Sequence, residues 1–145
     1  MEIATIGFTK SSARFFFERL TQAGLPTLID IRLHNQSQLA GFAKRDDLEF
    51  FLERICDMDY RQEPLLAPDE DLLKGYRGGT LAWKQFAGRY RTLIEDRKPE
   101  QELERDLYER GVVLLCSEAT AERCHRRLAA EYLAERWGGV RIMHL

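Results

Sequence analysis

Two stretches, PTLIDIR at 26–32 and VVLLC at 112–116, set apolar residues side by side where a half-exposed strand would alternate. A strand apolar on both faces must be covered on both, as in a parallel sheet lying between helices. Around these runs the periodicity switches repeatedly. EIATIG, 2–7, is a β-branched run closed by glycine. After it Phe15, Phe16, Leu20 and Ala23 recur at helical spacing, with Ser11 or Ser12 as cap and Gly24 as stop. Leu48, Phe51, Leu52 and Ile55 predict a helix over about 45–57. DYRQEPLLAP, 59–68, predicts a brief edge strand ended by proline. Gly75, Gly78 and Gly79 predict mainly loop over 69–81, with room for one helical turn. Helices are expected over 82–97, 99–110 and 121–137, and a last strand in VRIMHL.

Strand and helix in alternation predict one three-layer α/β domain over 1–145. It is Rossmann-like, with a mostly parallel sheet of about four to five strands and helices on both faces. Right-handed crossovers then bring every strand's carboxyl end to one edge, where ligands of open α/β sheets bind. The polar residues just after the strands are therefore the ones to weigh for chemistry.

Composition narrows the function classes. With 44% hydrophobic and 32% charged residues, the chain has material for a core and is not a disordered sequence. A net charge of −2 gives no global basic signal for nucleic acid, although a local arginine patch keeps that partner open. No apolar stretch approaches the roughly 20 residues of a membrane span, so no membrane partner is expected. MEIATIGFTK reads as a strand and not as a signal peptide. Three cysteines is an odd number in a chain with ample core. No disulfide is expected, including between Cys116 and Cys124, and a reducing cytoplasm is the expected compartment.

LLCSEATAERCHRR, 114–127, concentrates the chemistry. Cys116 ends a strand, and Ser117 or Thr120 is placed to cap a helix beginning near Ala121. His125 then faces the sheet from the first helical turn, on one side of the wheel with Leu128 and Tyr132. Cys116 and Cys124 near a helix N-terminus have the setting of lowered-pKa nucleophiles with His125 as base; equally, both suit a small buried residue. A zinc set of Cys116, Cys124, His125 and His144 is a weaker reading, because Cys124 and His125 are adjacent and no C-x-x-C is present. Arg126 in the first helical turn opposes the macrodipole. It should meet Glu118 or Glu122, or a bound anion. Asp30 and Arg32, two apart on a strand, share a face and either pair with each other or serve a ligand. Thr5 and Gly7 form a weak phosphate-loop-like exit. Phe42, beside Gly41 on a polar loop, is a lid or partner contact.

These residues resemble domain-of-unknown-function family 488 over nearly the whole chain. The resemblance runs through Thr5-Ile6-Gly7, Asp30-Ile31-Arg32, Ser37, Gly41-Phe42 with the helix of Leu48, the Tyr60 segment and the Phe86–Tyr90 helix. It ends with Cys-x-Glu followed by Cys-His-Arg, the most specific part, and with His144. LHNQSQ and EPLLAP depart from the family pattern. The resemblance implies signature residues gathered at strand ends and brings no reaction or cofactor with it.

The leading expectation is an enzyme-like pocket for a small anionic ligand, nucleotide or nucleic-acid derived, at the carboxyl edge of the sheet. Its catalytic candidates are His125, Glu118, Cys116, Cys124 and Asp30; its ligand contacts are Thr5, Gly7, Arg32, Ser37, Phe42, Arg126 and His144. A non-catalytic binding module using the same pocket and a metal-binding protein are the alternatives. Asp30, Arg32, Glu118, His125 and His144 are expected to converge on one crevice.

Overall fold

The structure is a computed structural model that describes residues 1–36, 40–118 and 120–145. Its elements in chain order are β1 (Glu2–Ile6), α1 (Ala13–Ala23), β2 (Thr27–Asp30), α2 (Arg45–Phe51), β3 (Asp59–Gln62) and α3 (Glu70–Arg77). They continue with α4 (Trp83–Arg97), α5 (Pro99–Glu102), α6 (Arg105–Glu109), β4 (Val112–Leu115), α7 (His125–Trp137) and β5 (Arg141–His144). The five strands make one sheet in the order β3-β2-β4-β1-β5, and every neighbouring pair is parallel.

β4 lies at the centre, which explains its unbroken apolar run. Val112 and Leu114 enter one core with Tyr90, Ile94 and Leu133 from α4 and α7. Val113 and Leu115 enter the other, with Phe16, Leu20 and Leu48 from α1 and α2. Alternate residues of one strand thus serve opposite faces. Helices cover both faces, as the sequence predicts. Among the described residues no helix is long and apolar enough to cross a membrane.

Local signals set most boundaries. The Ser12 side chain accepts from the Phe15 amide, and Gly24 closes α1 in the left-handed conformation, φ 66°. The second helix runs on from α2 as a π-helical turn over Leu52–Cys56. β3 is the edge strand that the prolines predict.

Three expectations are corrected. Residues 70–77 are helix, not loop, because Asp69 caps the Leu72 amide at 2.8 Å and Gly75 serves packing. A Cβ on Gly75 would lie 2.8 Å from the Leu81 side chain. The segment 99–110 is two short helices, parted at Leu103, whose extended backbone buries its side chain. α7 begins at His125, not Ala121: Cys124 is extended, φ −139° and ψ 142°, and turns its side chain back toward Cys116. Removing the Asp69 cap in Asp69→Ala is expected to lower stability by about 1 kcal/mol, measured by urea unfolding.

Candidate functional site

The chain leaves β2 toward α2 on one face of the sheet and leaves β4 toward α7 on the other. β2 and β4 are neighbours, so their exits diverge and open a crevice at the strands' carboxyl ends. A cavity occupies this place. Its lining includes Arg32 and His34 after β2, Arg77 of α3, Cys116 and Glu118 after β4, and Cys124 and His125 at the start of α7. The cavity volume is about 40 Å³. One water needs roughly 10–15 Å³ of such space. An oxyanion or a few waters match this space.

Arg32 is built to a fixed position. Its Nε and Nη2 donate to the two carboxylate oxygens of Asp30 at 2.9 and 2.8 Å. The same carboxylate accepts from the Tyr60 hydroxyl at 2.6 Å and from the Arg32 amide at 3.1 Å. Asp30 is wholly buried and Arg32 is 4% exposed. Burial and the Asp30 charge push the Tyr60 phenol well above its ordinary value. The remaining Arg32 nitrogen, Nη1, is buried and has no partner among the described residues.

His125 is anchored from the other side. Its Nε2 lies 2.8 Å from the Ile31 carbonyl oxygen, and its ring packs edge-on against Tyr90. A carbonyl only accepts, so Nε2 carries the proton and Nδ1 keeps the lone pair. Burial pushes this imidazole down to about 4, and the nearby Arg126 and Arg77 charges lower it further against the Ile31 bond. It is neutral at physiological pH.

Cys116 and Cys124 are joined as a disulfide, with Cα atoms 7.6 Å apart. The bridge runs against the expectation of no disulfide, across a Cα span wider than disulfides usually have. An odd cysteine count leaves one thiol over, here Cys56, but does not stop the other two from meeting.

Arg126 also departs from expectation. It is 1% exposed, and among the described residues no carboxylate lies within 4.0 Å of it. It donates instead to the Glu118 backbone carbonyl, to Thr5 Oγ1 at 3.3 Å and to Cys116 Sγ at 3.4 Å. Neither the Glu118 side chain, nor Glu122, nor the cavity receives it. Burial, then the Arg19 charge, lowers its guanidinium to about 10.

The model of the domain of unknown function DUF488 matches residues 12–133. The chain belongs to this family. No curated protein and no solved structure matches it. The DUF488 match spans β2, β4 and most of α7, and so holds every cavity residue named above; β1 and β5 lie outside it.

In this DUF488 protein the expected convergence is partial. Arg32, Glu118, His125, Cys116 and Cys124 meet at the cavity. Asp30 stands behind Arg32 with its carboxylate occupied, and does not line it. His144 is set aside: its Nδ1 lies 2.7 Å from Thr5 Oγ1 on the β1–β5 side. Thr5 is buried between His144 and Arg126. Gly7 gives passage to the loop after β4, with Glu118 and Arg126 against it. Phe42 packs on Phe16 and Phe17, with ring centroids 5.3 and 5.8 Å away, and is no lid over the cavity. Ser37 lies outside the described residues.

Sequence reasoning missed Arg77 and Arg123, both exposed at the cavity. Arg77 was hidden by reading 69–81 as loop; Asp69 followed by Leu72, Leu73 and Tyr76 was the available signal of a capped helix. Arg123 falls in the loop that was read as helix.

Proposed function

We propose that the protein binds a small oxyanion, or the anionic head of a larger ligand, in this cavity. The Cys116–Cys124–His125 cluster beside it then acts on the bound group. The unpartnered Nη1 of Arg32 carries the reading: a buried donor without an acceptor costs about 1–3 kcal/mol, and an oxyanion would supply one. Arg77 and Arg123 add positive charge at the cavity, against the single carboxylate, of Glu118, among the described residues that line it. The amino end of α7 also favours an anion there. The volume suits an oxyanion or the head group of a larger ligand. A reducing cytoplasm, the compartment we propose, would hold both cysteines as thiols.

Thermal unfolding with phosphate or sulfate, against chloride at matched ionic strength, tests this. Saturable stabilisation is expected, reaching about 2.7 kcal/mol at a hundredfold excess over Kd. Arg32→Lys, which keeps the charge but loses the planar fork, should weaken the anion roughly tenfold or more. Equal stabilisation by chloride would overturn the proposal. Turnover that disappears in His125→Gln would assign an enzyme; binding without turnover would assign a binding module.

A further inference from the structure

We propose that Cys116, Cys124 and His125, when the two cysteines are reduced, form a zinc site whose fourth position opens to the cavity. The inference deepens the proposed function, and rests on it only for what the open position receives.

Geometry supplies the first argument. The two Sγ atoms and a ring nitrogen of His125 all lie within 4.8 Å of one another, and all three residues line the cavity. Cys116 comes from the end of the central strand, whereas Cys124 and His125 come from the helix start, so two rigid elements fix the set. The Cα atoms of the two cysteines are 7.6 Å apart. Disulfides usually span about 4.4–6.8 Å between Cα atoms, whereas two thiolates meeting at an ion, each roughly 2.3 Å from it, reach further.

The second argument is the surrounding chemistry. Histidines that bind metals usually donate their other ring N–H to a carbonyl or carboxylate. His125 does so to Ile31, which leaves Nδ1 unprotonated and turned from that bond. With Nε2 held by that carbonyl, the ring offers one lone pair, at Nδ1, for a metal ion. Arg126 has no carboxylate partner within 4.0 Å among the described residues, yet it touches Cys116 Sγ at 3.4 Å. A zinc-bound Cys116 thiolate is a better acceptor for that hydrogen bond than a neutral thiol. Two thiolates balance a divalent ion, and the sulfur–nitrogen donor set selects zinc over harder cations. Three protein ligands with one place left open is the pattern of reactive and not purely structural zinc. Water or the oxyanion held by Arg32 would take that place.

The test uses the full chain, reduced and freed of metal under anaerobic conditions. Zinc is titrated against a chromophoric chelator, and cobalt is added in a parallel sample. We expect one zinc per chain, release of protons, and thiolate-to-cobalt charge-transfer absorption. Cys116→Ser and Cys124→Ser should each weaken zinc by at least ~100-fold, whereas Cys56→Ser should leave it unchanged. Reduced wild-type protein that is folded by circular dichroism but binds no zinc would overturn the site, even if the variants fail to fold. So would a cobalt spectrum lacking sulfur bands, or rapid alkylation of Cys116 that zinc does not slow. The zinc titration contains no phosphate, and the phosphate measurement is repeated on metal-free oxidised protein. Loss of one signal with survival of the other therefore identifies which proposal has failed.

Discussion

Gly7→Ala is expected to destabilise the protein by about 4 kcal/mol or more, among the largest effects a single methyl group can have. A Cβ at this position would overlap the Glu118 carbonyl oxygen outright and lie 2.6 Å from Arg126 Nη1. That carbonyl is tethered. Arg126 holds it, and the preceding Ser117 carbonyl accepts from the amides of Phe8 and Thr9 at 3.4 and 3.0 Å. Accommodating the methyl means parting the β1 exit from the loop after β4. Gly24→Ala is the control: its φ of 66° is strained for alanine, but nothing lies within 4 Å of the new atom. It should cost only about 1–2 kcal/mol. Urea unfolding of both variants measures the difference; a Gly7→Ala loss as small as that of Gly24→Ala would show that the loop yields.

The second large effect is acid sensitivity centred on His125. In the fold its pKa lies at about 4, and in the unfolded chain it returns to 6.5. Between these values the unfolded state binds the proton and the folded state does not, so stability rises with pH across the window. The full contribution is present above 6.5 and is lost as pH falls toward 4. At about 1.4 kcal/mol per unit, metal-free protein should lose about 2–3 kcal/mol between pH 7 and pH 4.5 on account of this one residue. His125→Gln cannot titrate, and should lack that share of the loss while keeping the share owed to carboxylates. Parallel slopes for the two proteins over this range would mean that the imidazole charges without penalty. Zinc, when bound, should hold the ring deprotonated and move the loss to lower pH.

The frame of this molecule was legible because its signals are local. The consecutive apolar residues of β2 and β4 are typical of covered parallel strands, and of the two candidate caps Ser12, with Gly24, marks the ends of α1. His125 was read toward the sheet, and it bonds the backbone just after β2. What stayed hidden depends on contacts distant in sequence. The start of α7 is shifted because the Glu118 carbonyl sits under Arg126 and Cys124 turns toward Cys116, neither of which helical spacing reveals. Gly75 resembled a helix stop because nothing in the sequence said that Leu81 would lie against it. The helical position of Arg126 calls for an anion or an acid, and it meets instead a carbonyl, a hydroxyl and a sulfur. His144 and Phe42 carried the right residue types for a site, but β5 and the second core take them elsewhere.

The strand order also has a consequence for how the chain acquires its structure. β1 and β2 are made early, yet they do not touch; β4 separates them and pairs with both. Until residues 112–115 leave the ribosome, only the β2–β3 pair has its neighbour, and the first strand waits without one. Closing these contacts late, across most of the chain, makes for slow folding with hydrophobic strands exposed meanwhile. The same event delivers Cys116 to the crevice and brings Cys124 and His125 after it. The central strand and the crevice therefore form together, late in synthesis, with only β5 still to add.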